Sequence, residues 1–147
     1  MSRGLAVVLV ALAGGFVGMQ APINARLGRQ VGSLQAATVS FIVGTLALLA
    51  ISALSSGGLS SLGSVGKVPW WALVGGLLGA FYVTVALIAV RTLGASSLTA
   101  LVVAGQLAVA VAIDRFGLFG IAKQQIAASR IAGLVLLLAG VVLVVRR

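Results

Sequence analysis

The sequence has 147 residues, 61% of them hydrophobic, a mean hydropathy of +1.27, and ten basic side chains against a single acid. A soluble domain of this size could not hide so much apolar surface, so the composition is that of an integral membrane protein. With no cysteine, no histidine and only Asp114 as an acid, disulfide, thiolate and imidazole chemistry, paired-carboxylate hydrolysis and a carboxylate cage for a metal are excluded. Neither enzyme activity nor a cofactor nor a metal is therefore expected.

In chain order, residues 5–25 carry no charge and are long enough to cross the hydrocarbon core, for which a helix needs about 20 residues. The basic start and apolar run resemble a signal peptide, but further apolar segments follow, so 5–25 reads as a first span. Pro22 lacks an N–H, which predicts that regular helix stops near Met19 and that Arg26, Gly28, Arg29 and Gly32 make a turn. The second span, 34–54, has no charge at all. A Ser/Gly-rich stretch from Ser55 to Ser64 then reads as a flexible solvated loop.

The stretch 68–113 contains one charge, Arg91, yet as one helix it would run about 69 Å, far beyond a single crossing. It divides into spans 70–90 and 96–113, with the turn at Arg91–Gly94. Pro69 suits the first position of a helix, and Trp70 and Trp71 suit an interfacial aromatic belt. The last span, 126–145, is closed by Arg146 and Arg147. The expected architecture is all-α, a bundle of five transmembrane helices in one transmembrane domain over residues 1–147.

Two glycine motifs, Gly14-x-x-x-Gly18 and Gly75-x-x-x-Gly79, read as helix-packing faces, because small residues let membrane helices approach where lipid offers no hydrophobic drive. They also suggest an internal repeat. The first precedes Arg26-Leu-Gly28 and the second Arg91-Thr-Leu-Gly94, with spacings that differ by one helical turn.

The net charge of +9 would suit nucleic acid in a soluble protein, but the basic residues are scattered along short hydrophilic breaks. They read as interface anchors of a chain whose partner is the lipid bilayer, with no nucleic acid. Five spans put Arg3, Lys67, Arg115, Lys123 and Arg130 on one side and Arg26, Arg29, Arg91, Arg146 and Arg147 on the other. The rule that basic loops stay inside finds no excess to read. One interpretation is a chance tie. The other is dual topology, with copies inserted both ways and paired antiparallel into a ten-helix assembly whose site lies at the repeat interface.

Polar side chains inside spans are the candidate binding residues, because an unpaired amide or hydroxyl in lipid is unfavourable and implies a partner or a cavity. They are Gln20 and Asn24 on one face of the first span, Ser40 with Thr38 and Thr45 in the second, Tyr82 and Thr84 in the third, and Gln106 in the fourth. For the hydroxyls the alternative is a bond to the carbonyl one turn back; for Gln106 it is interhelical glue. Asp114, ending the fourth span beside Arg115, is either a solvated interfacial carboxylate or a proton or cation switch.

The stretches Gln20-Ala-Pro-Ile-Asn-Ala-Arg-Leu-Gly28, Ser40-Phe-Ile-Val-Gly-Thr45, Pro69-Trp-Trp71, Val103-Ala-Gly-Gln106 and Ile113-Asp-Arg-Phe-Gly117 together resemble the small five-helix, YdcZ-like branch of the drug/metabolite transporter superfamily. The resemblance implies an inner-membrane protein with a transport function, acting as a homodimer or with a similar half-size partner chain. It carries no substrate. The small multidrug exporters of the same superfamily have an acid in their first span, where this chain has only Gln20 and Asn24, so proton exchange by that route is not expected. The reading is a half-size transporter that moves a small molecule by alternating access, neutral or anionic because a desolvated cation would lack a counter-charge. A dual-topology channel and a non-transporting assembly partner are the alternatives.

Overall fold

The computed structural model describes residues 1–56, 58–125 and 127–146. The expected start of the last span at residue 126 and the closing Arg147 lie outside them. Among the described residues there is no strand. Four long helices form: α1 (Arg3–Val31), α2 (Ser33–Leu54), α3 (Gly75–Phe116) and α4 (Ala128–Val145), with short 3₁₀ segments at Ser60–Lys67, Trp70–Leu73 and Leu118–Gly120. Each long helix is apolar enough to cross a membrane. The protein is an all-α membrane protein.

Contacts group the chain into two compact units, Met1–Arg91 and Thr92–Arg147. In the first, α1 packs along α2. Ser2 caps α1, its hydroxyl accepting from the Leu5 N–H at 3.3 Å. Against expectation, α1 runs through Pro22 without a stop. A missing N–H forfeits only the bond to the Gly18 carbonyl, and the residues beyond it, Asn24, Ala25 and Gly28, are buried and hold the continuation in place. The expected turn at 26–32 therefore shrinks to one residue. Gly32 separates α1 from α2 with φ 94° and ψ 154°, a region open essentially only to glycine.

The expected division of the third apolar stretch occurs at Gly94, where helical geometry breaks with φ 77° and ψ 164°. Residues 75–93 and 95–116 are thus separate helical lengths. The first begins later than expected, because Pro69 introduces a 3₁₀ turn at Trp70–Leu73 and regular helix starts only at Gly75. Part of the Ser/Gly loop is also ordered into 3₁₀ turns over Ser60–Lys67.

The backbone at Gly32 and Gly94 gives the internal repeat a better register than the glycine motifs do. The shift that carries Gly32 onto Gly94 also carries Arg29 onto Arg91, and the buried Ala21, Asn24, Ala25 and Gly28 onto the buried Val83, Ala86, Leu87 and Val90. The repeated element is therefore a helix with the same buried stripe, ending in Arg-x-x-Gly. Its first copy ends at Arg29-Gln-Val-Gly32 rather than at Arg26-Leu-Gly28.

In the second unit, residues 95–116 and α4 are joined by Ser97, whose hydroxyl donates to the Val144 carbonyl at 3.4 Å. Ser97, Leu98, Ala104 and Val141 are its buried positions.

Candidate functional site

Gln20 and Asn24 of α1 meet Ser40 and Thr45 where α1 faces α2. Asn24, 6% exposed, donates from Nδ2 to Ser40 Oγ at 3.1 Å. Burying an amide in an apolar bundle costs little only if it finds such a partner. One turn before Asn24 on the same face, Gln20 borders a cavity of about 380 Å³. Its wall is completed by Ser40, Phe41, Gly44, Thr45 and Leu48 of α2 and Gly76 of α3. The lining is mostly apolar with a few hydrogen-bonding groups, and the volume lies in the range of small-molecule sites. No carboxylate contributes to it.

The other candidates are placed differently. Thr84 Oγ1 donates to the Ala80 carbonyl at 2.8 Å, and Thr38 Oγ1 to the Leu34 carbonyl at 3.0 Å, the local bonding that serine and threonine favour in helices. Tyr82 is half-buried, and neither it nor Thr84 lines the cavity. Under the shift that superposes the two Arg-x-x-Gly breaks, Tyr82 occupies the position of Gln20. Gln106 and Asp114 belong to the second unit. Gln106 is exposed on an otherwise apolar helix. Asp114 pairs with Arg130 rather than with its neighbour Arg115: Nη1 stands 2.8 Å from Oδ2, Arg130 Nη2 also donates to Gln124 Oε1 at 3.1 Å, and the Gln124 N–H donates to the Asp114 carbonyl at 2.9 Å.

Of the four glycines read as packing positions, only Gly79 has a close neighbour: a Cβ there would sit 3.3 Å from Phe41 Cζ. At Gly14, Gly18 and Gly75 an added Cβ would meet nothing within 4 Å among the described residues. The tight approach is instead at Gly28, where a Cβ would lie 2.7 Å from Arg91 Nη2 and 3.5 Å from Ala36 Cβ. Sequence reasoning missed Gly28, and with it the clustering of Arg26, Arg29 and Arg91. The repeated Arg-x-x-Gly was the available signal.

A sequence profile described as "Putative inner membrane exporter, YdcZ" matches residues 5–143. The chain belongs to this YdcZ family. It is also 35% identical over 91 residues to the inner membrane protein YdcZ of Escherichia coli strain K12, a match covering 61% of this chain and 60% of that protein. No solved structure matches. Membership in the YdcZ family, with the apolar helices, makes this a multi-pass protein of the inner membrane. The quoted family stretch Gln20–Gly28 supplies Gln20 to the cavity wall, Asn24 to its support on Ser40, and Arg26 to the basic cluster.

Proposed function

We propose that the protein is a half-size secondary transporter that works as a dimer and moves a small neutral or anionic metabolite or drug-like molecule by alternating access. The observation that carries this reading is the Gln20–Ser40 cavity, about 380 Å³ in volume and walled by hydroxyl, amide and apolar groups without a carboxylate. A cation desolvated there would lack a counter-charge, whereas a neutral or anionic solute finds hydrogen-bond donors. The dimer is supported by Gln106, because an amide exposed on an apolar helix is unfavourable against lipid and is satisfied by a second chain. The even split of basic residues between the two membrane faces supports an antiparallel pair. Radiolabelled neutral metabolites and organic anions presented to the reconstituted protein test the proposal. Saturable uptake of at least one, abolished by Gln20→Leu with dimer content unchanged, is the expected result. Ohmic current without saturation would establish a channel instead.

A further inference from the structure

Arg26 and Arg29 of α1 and Arg91 of α3 converge on a second cavity of about 150 Å³, floored by Pro22, Ala25 and Val90. Its volume, several times the roughly 30 Å³ that one water occupies in the liquid, accommodates a phosphate-sized group with its hydration. The three arginines are exposed, and the first unit has no acidic side chain to neutralise them. The only acid of the chain, Asp114, lies in the other unit and is engaged by Arg130 at 2.8 Å.

The cluster is held in shape rather than left as loose surface charge. Arg91 Nη2 donates to the Ala25 carbonyl at 3.1 Å, which fixes its fork against α1. Gly28 leaves the space through which that fork passes, since a Cβ would come within 2.7 Å of the same nitrogen. Like charges around one cavity repel, so an arrangement built this way is stabilised by an anion between them. Arginine's planar fork matches the paired oxygens of a phosphate better than a lysine's point charge does. The run from Arg3 to Arg26 is about 35 Å of helix, a full crossing, which puts Arg26 and Arg29 at the depth of the headgroups.

We propose that Arg26, Arg29 and Arg91 form a binding site for a phosphate-type oxyanion, carried by an anionic lipid headgroup or dissolved in the adjoining water. Basic pockets between membrane helices take lipid phosphates by this chemistry. The site is separate from the Gln20–Ser40 cavity and does not depend on the transport reading.

The full chain in nanodiscs of phosphatidylcholine provides the test, with thermal unfolding followed by the fluorescence of Trp70 and Trp71. One arm adds inorganic phosphate against chloride at matched ionic strength; the other replaces part of the phosphatidylcholine with phosphatidylglycerol. At least one probe should raise the unfolding midpoint in a concentration-dependent way. In Arg26→Gln/Arg29→Gln the apparent affinity should fall by about tenfold or more. The control Arg3→Gln/Lys67→Gln, which removes the same charge elsewhere, should respond as the wild type does. The responding arm identifies the source of the phosphate. If the glutamine pair does not fold, Arg26→Lys/Arg29→Lys keeps the charge while losing the forks, and it too should bind more weakly. No stabilisation by either probe, full affinity in the arginine variants, or equal loss in the control would overturn the proposal.

Discussion

The two copies of the helix-Arg-x-x-Gly element bury the same four positions but fill them differently. In α3 the stripe is Val83, Ala86, Leu87 and Val90, all apolar; in α1 it is Ala21, Asn24, Ala25 and Gly28. Where α3 has Ala86, α1 has an amide bonded to Ser40, and where α3 has Val90, α1 has the glycine that admits Arg91. One copy is filler and the other is equipped. The Gln20–Ser40 cavity and the arginine-lined cavity both border α1.

The most severe way to break this comparison is to give α1 the residue of α3. Gly28→Val should destabilise the protein by about 1 to 3 kcal/mol, because its two methyls press on Ala36 and Ser33 of α2 and the Arg91 fork must swing aside and give up the Ala25 carbonyl. Val90→Ala, the reverse change in size at the matching position, should cost at most about 2 kcal/mol through lost packing. Detergent-solubilised protein followed by thermal unfolding gives both values. Equal effects would mean that the two positions are interchangeable.

Where the copies are alike, they should fail alike. Gly32→Ala and Gly94→Ala each force a Cβ into a backbone conformation that L-residues avoid, at about 1 to 3 kcal/mol. The two costs should be alike, since Gln35 Oε1, 2.5 Å from a Cβ at Gly32, is the end of a flexible side chain and swings aside. A harmless substitution at Gly94 would show that the break there is not required.

The amide is a subtler difference. Asn24→Ala should cost about 0.6 to 1.7 kcal/mol, the usual worth of a hydrogen bond between membrane helices. Ser40→Ala should cost nearly the same, and the double variant little more than either alone, because both remove one bond. Strict additivity in that cycle would show that Asn24 and Ser40 act separately.

Hydropathy and length made the class of fold legible, since charge-free runs of about 20 residues have few other uses. The break at Gly94 was legible for the same reason: no single crossing accommodates 68–113. Pro22 misled because its cost is a local backbone term, whereas the continuation of α1 depends on Asn24, Ala25 and Gly28 packing on its far side. Gln20 and Ser40 could be named as polar residues in apolar spans, and both border the cavity, but the wall residues Phe41, Leu48 and Gly76 carry no compositional mark. The arginines were visible only as a count per membrane face. Their convergence depends on which faces of α1 and α3 meet, and Gly28 records that only as a missing side chain.

Asp114 gives the smallest expected effect and the sharpest limit on the role proposed for the Gln20–Ser40 cavity. Its partner Arg130 is 40% exposed and Asp114 itself 25%, so solvent screens the pair, and surface ion pairs contribute at most about 1 kcal/mol. Asp114→Asn keeps the shape and the backbone carbonyl that receives the Gln124 N–H, and removes only the charge. Stability should fall by less than about 1 kcal/mol, and the difference from wild type should shrink further in high salt. Under the proposed transport function, uptake per folded protein should be unchanged, because no carboxylate borders the Gln20–Ser40 cavity. If Asp114→Asn abolished uptake while the protein stayed folded, the only acid in the chain would be a coupling group. Transport would then require the second unit as much as α1.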